Sequence, residues 1–452
     1  MSGCSAAWLA RYLGVVEVAG SSPVTPTIFN TLFLLHVKSN SIAGFMKPET
    51  LQTFHKRPIV IIALLTAVCL VGDSMLYVVL PTHFEEAGLT SLWQVGILLS
   101  INRLIRLPLN PLIGWLYTKI SARTGVLIAV ILAFLTTLSY GLVHGFIGLL
   151  IARSFWGIAW GFLRLGAYFT ILEYATDTTR GKSMGLYNGL YRLGSLVGML
   201  AGGFLADSYG LMPTAIIFSL VTLCCLPVVF IVIKPTHQGM VSEHVEGERH
   251  FSLWKHRNVL SVLGVGMFFA LIYQGIVTST LSYLIEIHNG SVVLIFGCLV
   301  GASSLAGILQ AIRWGFEPFL APLFGSLTDG KSGRYPILLL STFLASVLFA
   351  LVSFDLPLWL WIGVILLLQA TATSLTTIAD ALAADTASNS AKIKIMTTYS
   401  LLIDFGAALG PMLAYGMNQF LDPYASFWFA SLILFGTTLV CAHSWYKQKR
   451  LV

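Results

Sequence analysis

The chain has 452 residues, 56% hydrophobic and only 10% charged, with a formal net charge of +7. Soluble proteins carry about 25% charged residues, so this composition excludes a soluble globular fold and points to a chain that crosses a membrane many times. The cations lie in short segments between apolar runs rather than on one basic face, which excludes a nucleic-acid footprint.

Residues 1–45 differ from the rest. "SSPVTPT" is loop-like, "IFNTLFLLHV" is too short to span, and no basic segment with a small-residue cleavage site marks a signal peptide. Met46 opens "MKPETLQTFHKRP", a basic lead-in to a first span, so residues 1–45 are expected to be a spurious or disordered extension. Apolar runs follow at 59–81, 92–117, 124–143, 146–171, 182–206 and 211–233. A polar linker at 234–258 precedes six more, at 259–285, 297–327, 335–354, 357–380, 395–420 and 424–446. Each is long enough for a helix to cross a hydrocarbon core of about 30 Å. The expectation is an all-α membrane protein of twelve transmembrane helices, six in an N-terminal bundle (46–233) and six in a C-terminal bundle (259–452).

Charge sets the orientation. The connections after every second run, and both ends, hold Lys56, Arg57, Lys119, Arg123, Arg180, Lys182, the stretch from Lys234 to Arg257, Lys331, Arg334, Lys392, Lys394, Lys447, Lys449 and Arg450. The intervening connections hold Glu85, Glu86, His144, Asp207, Glu286, Asp355 and Asp422, with no Lys or Arg. Positive loops stay on the cytoplasmic side, so both termini are expected there and the chain in the plasma (inner) membrane. The cysteines Cys4, Cys69, Cys224, Cys225, Cys298 and Cys441 show no ligand spacing. No P-loop, HExxH or GxSxG motif occurs, so neither a metal, a cofactor nor an enzyme reaction is expected.

The two halves match at an offset of 211 to 212 residues. Pro111 and Gly114 of "NPLIGWL" fall on Pro322 and Gly325 of "APLFGSL". "RLGSLVGMLAGG" (192–203) falls on "DFGAALGPMLAY" (404–415), placing Gly194 on Gly406 and Gly198 on Gly410, and "EYATD" (173–177) falls on "DTASN" (385–389). Two bundles in the same orientation are parallel repeats about an axis along the membrane normal, and substrate sites in such folds lie between the repeats near the midplane.

These features resemble the major facilitator superfamily over residues from about 57 to 446. The family's motif between helices 2 and 3, GxLaDrxGrk, is matched by "GWLYTKISARTG", with Gly114 and Leu116 in place and Thr118 where the Asp belongs. "GSLTDGKSGR" offers Gly325, Leu327 and Asp329, with Gly333 shifted by one, so Gly114, Gly325 and Asp329 are the gating candidates. "RSFWG" (153–157) looks like the family's RxxxG motif on helix 4, which is linked to proton transfer. "GSLVGMLAGG" (194–203) looks like the gxxxGPxxGG signature of its drug/proton-antiporter branch, with Met199 replacing the Pro. Gly194, Gly198, Gly202 and Gly203 are expected to pack helices closely.

Ionisable residues inside the spans are the functional candidates. Arg103, Arg106, Arg153, Arg164, Arg192 and Arg313 are the cations, and Asp73, Glu317 and Asp404 the deep anions. Each costs roughly 2.5–3.5 kcal/mol if it faces lipid, and nine unpaired would exceed the usual net stability of about 5–15 kcal/mol. They must face a wet cavity or one another. Arg106 and Glu317 are equivalent in the repeat, as are Arg192 and Asp404. In the fold that the resemblance implies, helix 2 meets helix 11 and helix 5 meets helix 8. Arg106 is then expected to face Asp404, and Arg192 to face Glu317. The alternative is that these arginines only lock helices together. Arg313 and Glu317, four residues apart on one helix, are also placed to interact. The N-terminal half holds five cations against one deep anion, a surplus suited to carboxylate or phosphate groups.

Asp73, Arg153, Glu317 and Asp404 are therefore proton-coupling candidates, with Asp73 the foremost. Arg103, Arg106, Arg164, Arg192, Arg313, Asn102, Tyr168, Tyr273, Gln310 and Gln369 are substrate-binding candidates. The expected function is a proton-coupled exporter of a polar anionic or zwitterionic small molecule, working as a monomer in the bilayer by alternating access. "LQAIRWGFEPFLAPLFG" is weakly similar to exporters of opine-type metallophores, whose polycarboxylate amino-acid conjugates suit the arginines. The alternatives are a multidrug efflux pump, an organic-anion uptake system and a solute sensor that transports nothing.

Overall fold

A computed structural model describes residues 56–175, 179–233, 257–328, 334–386 and 392–449. The expected extension at 1–45, most of the linker at 234–258 and the gating candidate Asp329 lie outside the described residues. The chain is a bundle of helices. In the first half these are α1 (Lys56–Val79), α2 (Leu92–Leu104), α3 (Arg106–Tyr117), α4 (Ala122–Leu142), α5 (Phe146–Tyr174), α6 (Arg180–Tyr209), α7 (Leu211–Leu223) and α8 (Cys225–Val232). The second half has α9 (Arg257–Phe269), a π-helical segment (Ala270–Val277), α10 (Thr278–Asn289), α11 (Ala302–Thr328), α12 (Tyr335–Leu351), α13 (Leu358–Thr386), α14 (Lys392–Phe420) and α15 (Ala425–Lys449).

Among the described residues, nine helical stretches are long and apolar enough to cross a membrane. The pair α2 and α3 falls short of that length because the ladder lapses at Ile105, which nevertheless keeps helical dihedrals of φ −63° and ψ −27°. Pro108 is the cause, since it has no N–H for the carbonyl of Leu104, the last residue of α2. Pro227 ends α7 at Leu223 in the same way. In the π-helical segment the Thr278 hydroxyl donates to the Tyr273 carbonyl, five residues back, at 2.8 Å.

One expected helix start is corrected. The apolar run at 297–327 does not open as helix. Residues Val292–Ile295 (β1) and Cys298–Gly301 (β2) form an antiparallel hairpin, and α11 begins only at Ala302. The turn uses Phe296 and Gly297, both at positive φ (50° and 82°). The segment "SVVLIFGCLVG" is apolar throughout, and hydropathy alone cannot separate a short buried strand from a helix start. Its β-branched residues, the flanking Gly290 and the turn glycine Gly297 decide for the hairpin.

Glycines weld helices into pairs. A Cβ on Gly194, Gly198 or Gly202 of α6 would overlap, in turn, the Ala67 carbonyl, the Val71 carbonyl and the Met75 side chain of α1. The second half repeats this, with Gly406 and Gly410 of α14 against the carbonyls of Met267 and Leu271. Both seams step by one helical turn, so the backbones touch along their length.

The halves meet mainly at the end that carries the anionic loops. There α2 lies on α14, with Gly96 against the Pro411 carbonyl and the Met412 N–H donating to Ser100 Oγ at 3.1 Å. Trp93 N–H donates to Gln419 Oε1 at 2.9 Å. Likewise α6 lies on α11, with Gly203 against the Ser303 carbonyl and Gly307 against that of Met199. Ser304 donates to Asp207 from its N–H at 2.7 Å and from its hydroxyl at 2.6 Å. Toward the cationic end, α3 packs on α5 within its own half.

Candidate functional site

The nine ionisable side chains expected inside the spans sort into three groups. The first is a buried lock within the first half. Asp73 on α1 pairs with Arg153 on α5, and both are shielded from solvent. Asn102 on α2 donates its amide to Asp73 at 3.2 Å, and Arg153 Nε donates to the Leu98 carbonyl at 2.9 Å. The guanidinium also lies over the rings of Tyr77 and Tyr140. Three helices are therefore tied at one point. Asp73 does not line an open chamber, as expected of a proton carrier, because Arg153 and Asn102 close over it.

The second group bridges the halves. Arg192 on α6 meets Glu317 on α11 at 3.1 Å, with side chains 49% and 27% exposed. Arg164 on α5 lies 3.9 Å from Asp404 on α14, with exposures of 29% and 31%. Both pairs lie at mid-helix between the two bundles and remain partly open to solvent. Opposite signs at swapped repeat positions thus bring Arg192 and Glu317 together. The mirror pairing is different: Asp404 takes Arg164 as its nearest ion partner rather than Arg106. Arg106 lies instead over the ring of Trp160, 5.9 Å from its centre, one turn before Arg164 on α5. Asp404 still lies within electrostatic reach of Arg106 and Arg103.

The third group lacks an ion pair among the described residues: Arg103, Arg106 and Arg313. Arg103 sits beside the phenol of Tyr77. Arg313 is buried on α11, 5.5 Å over the ring of Trp314, and its Nε has no partner. Near it, Tyr273 of the π-helical segment shares a hydrogen bond of 2.9 Å with Thr371 on α13. Gln310, one turn before Arg313, and Gln369, two residues before Thr371, are buried with both amide atoms unpaired. Tyr168 accepts from Arg164 Nε at 2.8 Å, so its role here is to hold that arginine. Arg313 and Glu317 share a helix, but the nearest cation to Glu317 is Arg192.

The gating glycines Gly114 and Gly325 lie near the cationic ends of α3 and α11, and a Cβ on Gly325 would meet open space. Of the packing glycines, Gly194, Gly198 and Gly202 sit on α1, while Gly203 bears on the opposite half.

One residue escaped the sequence reading. Asp380 on α13 is solvent-exposed and accepts from Tyr399 Oη at 2.9 Å. It lies near Arg192 and Glu317 electrostatically. The apolar run ends at 380, which makes Asp380 a boundary residue, whereas α13 continues to Thr386. The repeat held the signal. At the offset relating Gly194 to Gly406, Asp380 and Tyr399 correspond to Tyr168 and Tyr187, whose rings pack 6.1 Å apart.

The family model described as Major Facilitator Superfamily matches residues 62–316 and 316–450. The chain is 28% identical over 245 residues to the multidrug resistance protein MdtG of Escherichia fergusonii, covering 52% of this chain and 60% of that protein. The matched region therefore spans less than two thirds of that relative. A longer match is to MdtG of Salmonella heidelberg, 24% identical over 381 residues, covering 82% of this chain and 90% of the relative. Among solved structures, the D-xylose-proton symporter superposes with a TM-score of 0.68 at 14% identity, covering 85% of this chain and 97% of that one. An inward-facing, occupied bacterial homologue of the human lysosomal transporter Spinster gives a TM-score of 0.63 at 15% identity, covering 90% and 98%.

Proposed function

The chain belongs to the major facilitator superfamily, and from that premise we propose that it is a proton-driven exporter of a polar anionic or zwitterionic small molecule. It is a multi-pass membrane protein of a transporter family, and its relatives are not enzymes. In this reading it sits in the plasma membrane with twelve spans in two parallel six-helix repeats and both termini cytoplasmic. Joining α2 to α3, α7 to α8, and α9 through the π-helical segment to α10 accounts for that number. The contacts at the anionic end then close the outer side, and the chamber opens to the cytoplasm.

A single observation carries the substrate class: among the described residues, the three span guanidiniums Arg103, Arg106 and Arg313 have no ion pair, and neither does the carboxylate of Asp380, which accepts from Tyr399. A chamber with spare forked donors and one spare carboxylate favours a solute with carboxylates and an amine. An opine-type metallophore is the narrower candidate. Coupling follows from the wet pairs. A substrate carboxylate competes with Glu317 for Arg192 and with Asp404 for Arg164. The solute's amine in turn takes the freed carboxylate; protonating Glu317 or Asp404 from the outer side discharges that carboxylate and releases the solute outward, and the proton leaves to the cytoplasm when the next amine binds. The locked Asp73 and Arg153 instead hold α1, α2 and α5 as one body.

Inverted membrane vesicles with an acidic interior test this reading. Labelled anionic or zwitterionic amino-acid conjugates should accumulate, and a protonophore should stop it. Accumulation of lipophilic cations alone would overturn the substrate class. It would favour the second reading, a multidrug efflux pump, which is supported by the names of the relatives and by Trp160 and Trp314 beneath the arginines, with Tyr191 packed edge-on against Trp160.

A further inference from the structure

The hairpin between α10 and α11 breaks the usual rule for an exposed sheet. Pairing sets Leu294 opposite Leu299 and Val292 opposite Gly301 on one face, and Val293 opposite Val300 on the other. The second face lies on the core, with Val293 buried and Ile295 and Val300 packed against it. The first face is apolar too, yet open: Leu294 is 63% exposed, Leu299 77%, and Phe296 at the tip 89%. In water such a face is normally polar and its edges carry charge. Here no charged residue occurs between Glu286 and Arg313.

The tip adds a second argument. A bulky aromatic at φ 50° is a position that Asn, Asp or Gly normally fills, and placing an ordinary residue there costs about 1 kcal/mol. Such a choice persists where the side chain gains more from its surroundings. Phe296 packs on Trp359 at the start of α13, with ring centres 4.8 Å apart. Trp359 and Leu360 are themselves exposed, and Phe354 packs on exposed Trp428 at the same end of the bundle. The hairpin thus adds to a set of exposed aromatic and aliphatic side chains at the ends of membrane-crossing helices. Aromatic belts of this kind mark the boundary between headgroups and acyl chains.

We propose that the Val292–Gly301 hairpin is a lipid-docking element, its open face and the Phe296 tip seated in the interfacial layer of the bilayer at the anionic end. The partner is the lipid itself. This inference rests on the chain crossing a membrane and not on any substrate, so it stands or falls apart from the transport reading. The hairpin also leads directly into α11, where Gly301 lies against the Asp207 carboxylate and Ser304 donates to it. The bilayer boundary therefore holds one side of the contact that closes the halves.

The test uses the full chain in lipid nanodiscs, with the exposed Cys224 and Cys298 replaced by Ser. A nitroxide is placed at Phe296→Cys, with Leu432→Cys on α15 as the lipid reference and Asp422→Cys in the α14–α15 connection as the water reference. Collisions with oxygen and with a water-soluble nickel chelate are compared by EPR. The ratio at position 296 should lie close to that of the Leu432 site, severalfold above the Asp422 site. A ratio matching the Asp422 site would overturn the proposal, because the hairpin would then stand in water. Protection from both reagents would also overturn it, pointing to a second copy or another protein as the occupant. Should Phe296→Cys fail to fold, Leu299→Cys on the open face gives the same readout.

Discussion

Arg192 on α6 and Glu317 on α11 join the two halves at 3.1 Å, although about half of the arginine side chain faces solvent. A pair this wet contributes little to stability, about 0.2–1 kcal/mol. Its value lies in being breakable. Arg192→Ala should leave the unfolding midpoint almost unchanged while cutting solute accumulation in vesicles at least tenfold. The exchange of Arg192→Glu with Glu317→Arg should restore part of it. Singles and double with equal, additive losses would remove the pair from the transport cycle.

The Asp73 and Arg153 pair behaves differently because it is dry. Asp73→Asn leaves a buried guanidinium uncompensated, at a cost of about 3–5 kcal/mol. Thermal unfolding in detergent should show a clear drop. Replacing both partners with apolar residues, Asp73→Leu with Arg153→Met, should recover much of that loss. A single mutant as stable as the parent would show that the lock is not structural.

Arg103, Arg106 and Arg313 have no ion pair among the described residues, so losing one should affect the solute first. Charge-assisted hydrogen bonds contribute about 1.5–3 kcal/mol, or roughly tenfold to a hundredfold in affinity. Arg106→Gln should weaken binding by that factor in a calorimetric titration, and Arg106→Lys should restore only part of it, since lysine lacks the fork. Unchanged affinity in all three glutamine variants would refute the anionic substrate class.

Close packing predicts a sharp contrast between two glycines of α6. Gly194→Ala would press a methyl group into the Ala67 carbonyl, whereas Gly189→Ala meets nothing within 4 Å. Overpacking costs about 1–3 kcal/mol, so Gly194→Ala should lower the unfolding midpoint and Gly189→Ala should not.

Much of this was readable because hydropathy and charge bias act over whole spans. The helices of both halves follow the apolar runs, and the Gly194, Gly198 and Gly202 seam follows from its four-residue step. The Arg192–Glu317 contact was readable because opposite signs occupy swapped positions in the repeat. Three features were not. The hairpin hid in an unbroken apolar run, where period and length carry no information. Arg164 displaced Arg106 from Asp404 because Trp160 offers Arg106 an aromatic face, a choice made by side-chain packing. Asp380 sat at a boundary, the least certain part of any span, and only its repeat mate Tyr168 pointed inward.

The glycine seams have a mechanical consequence. With α1 riding on α6 and α9 on α14 at backbone contact, neither helix of a pair has room to slide or twist against its mate. Backbone contact also occurs between the halves, where Gly96, Gly203 and Gly307 touch the opposing bundle, and these become the journal bearings of a two-part machine. A small molecule wedged beside Gly203 would jam the rotation without ever entering the solute chamber.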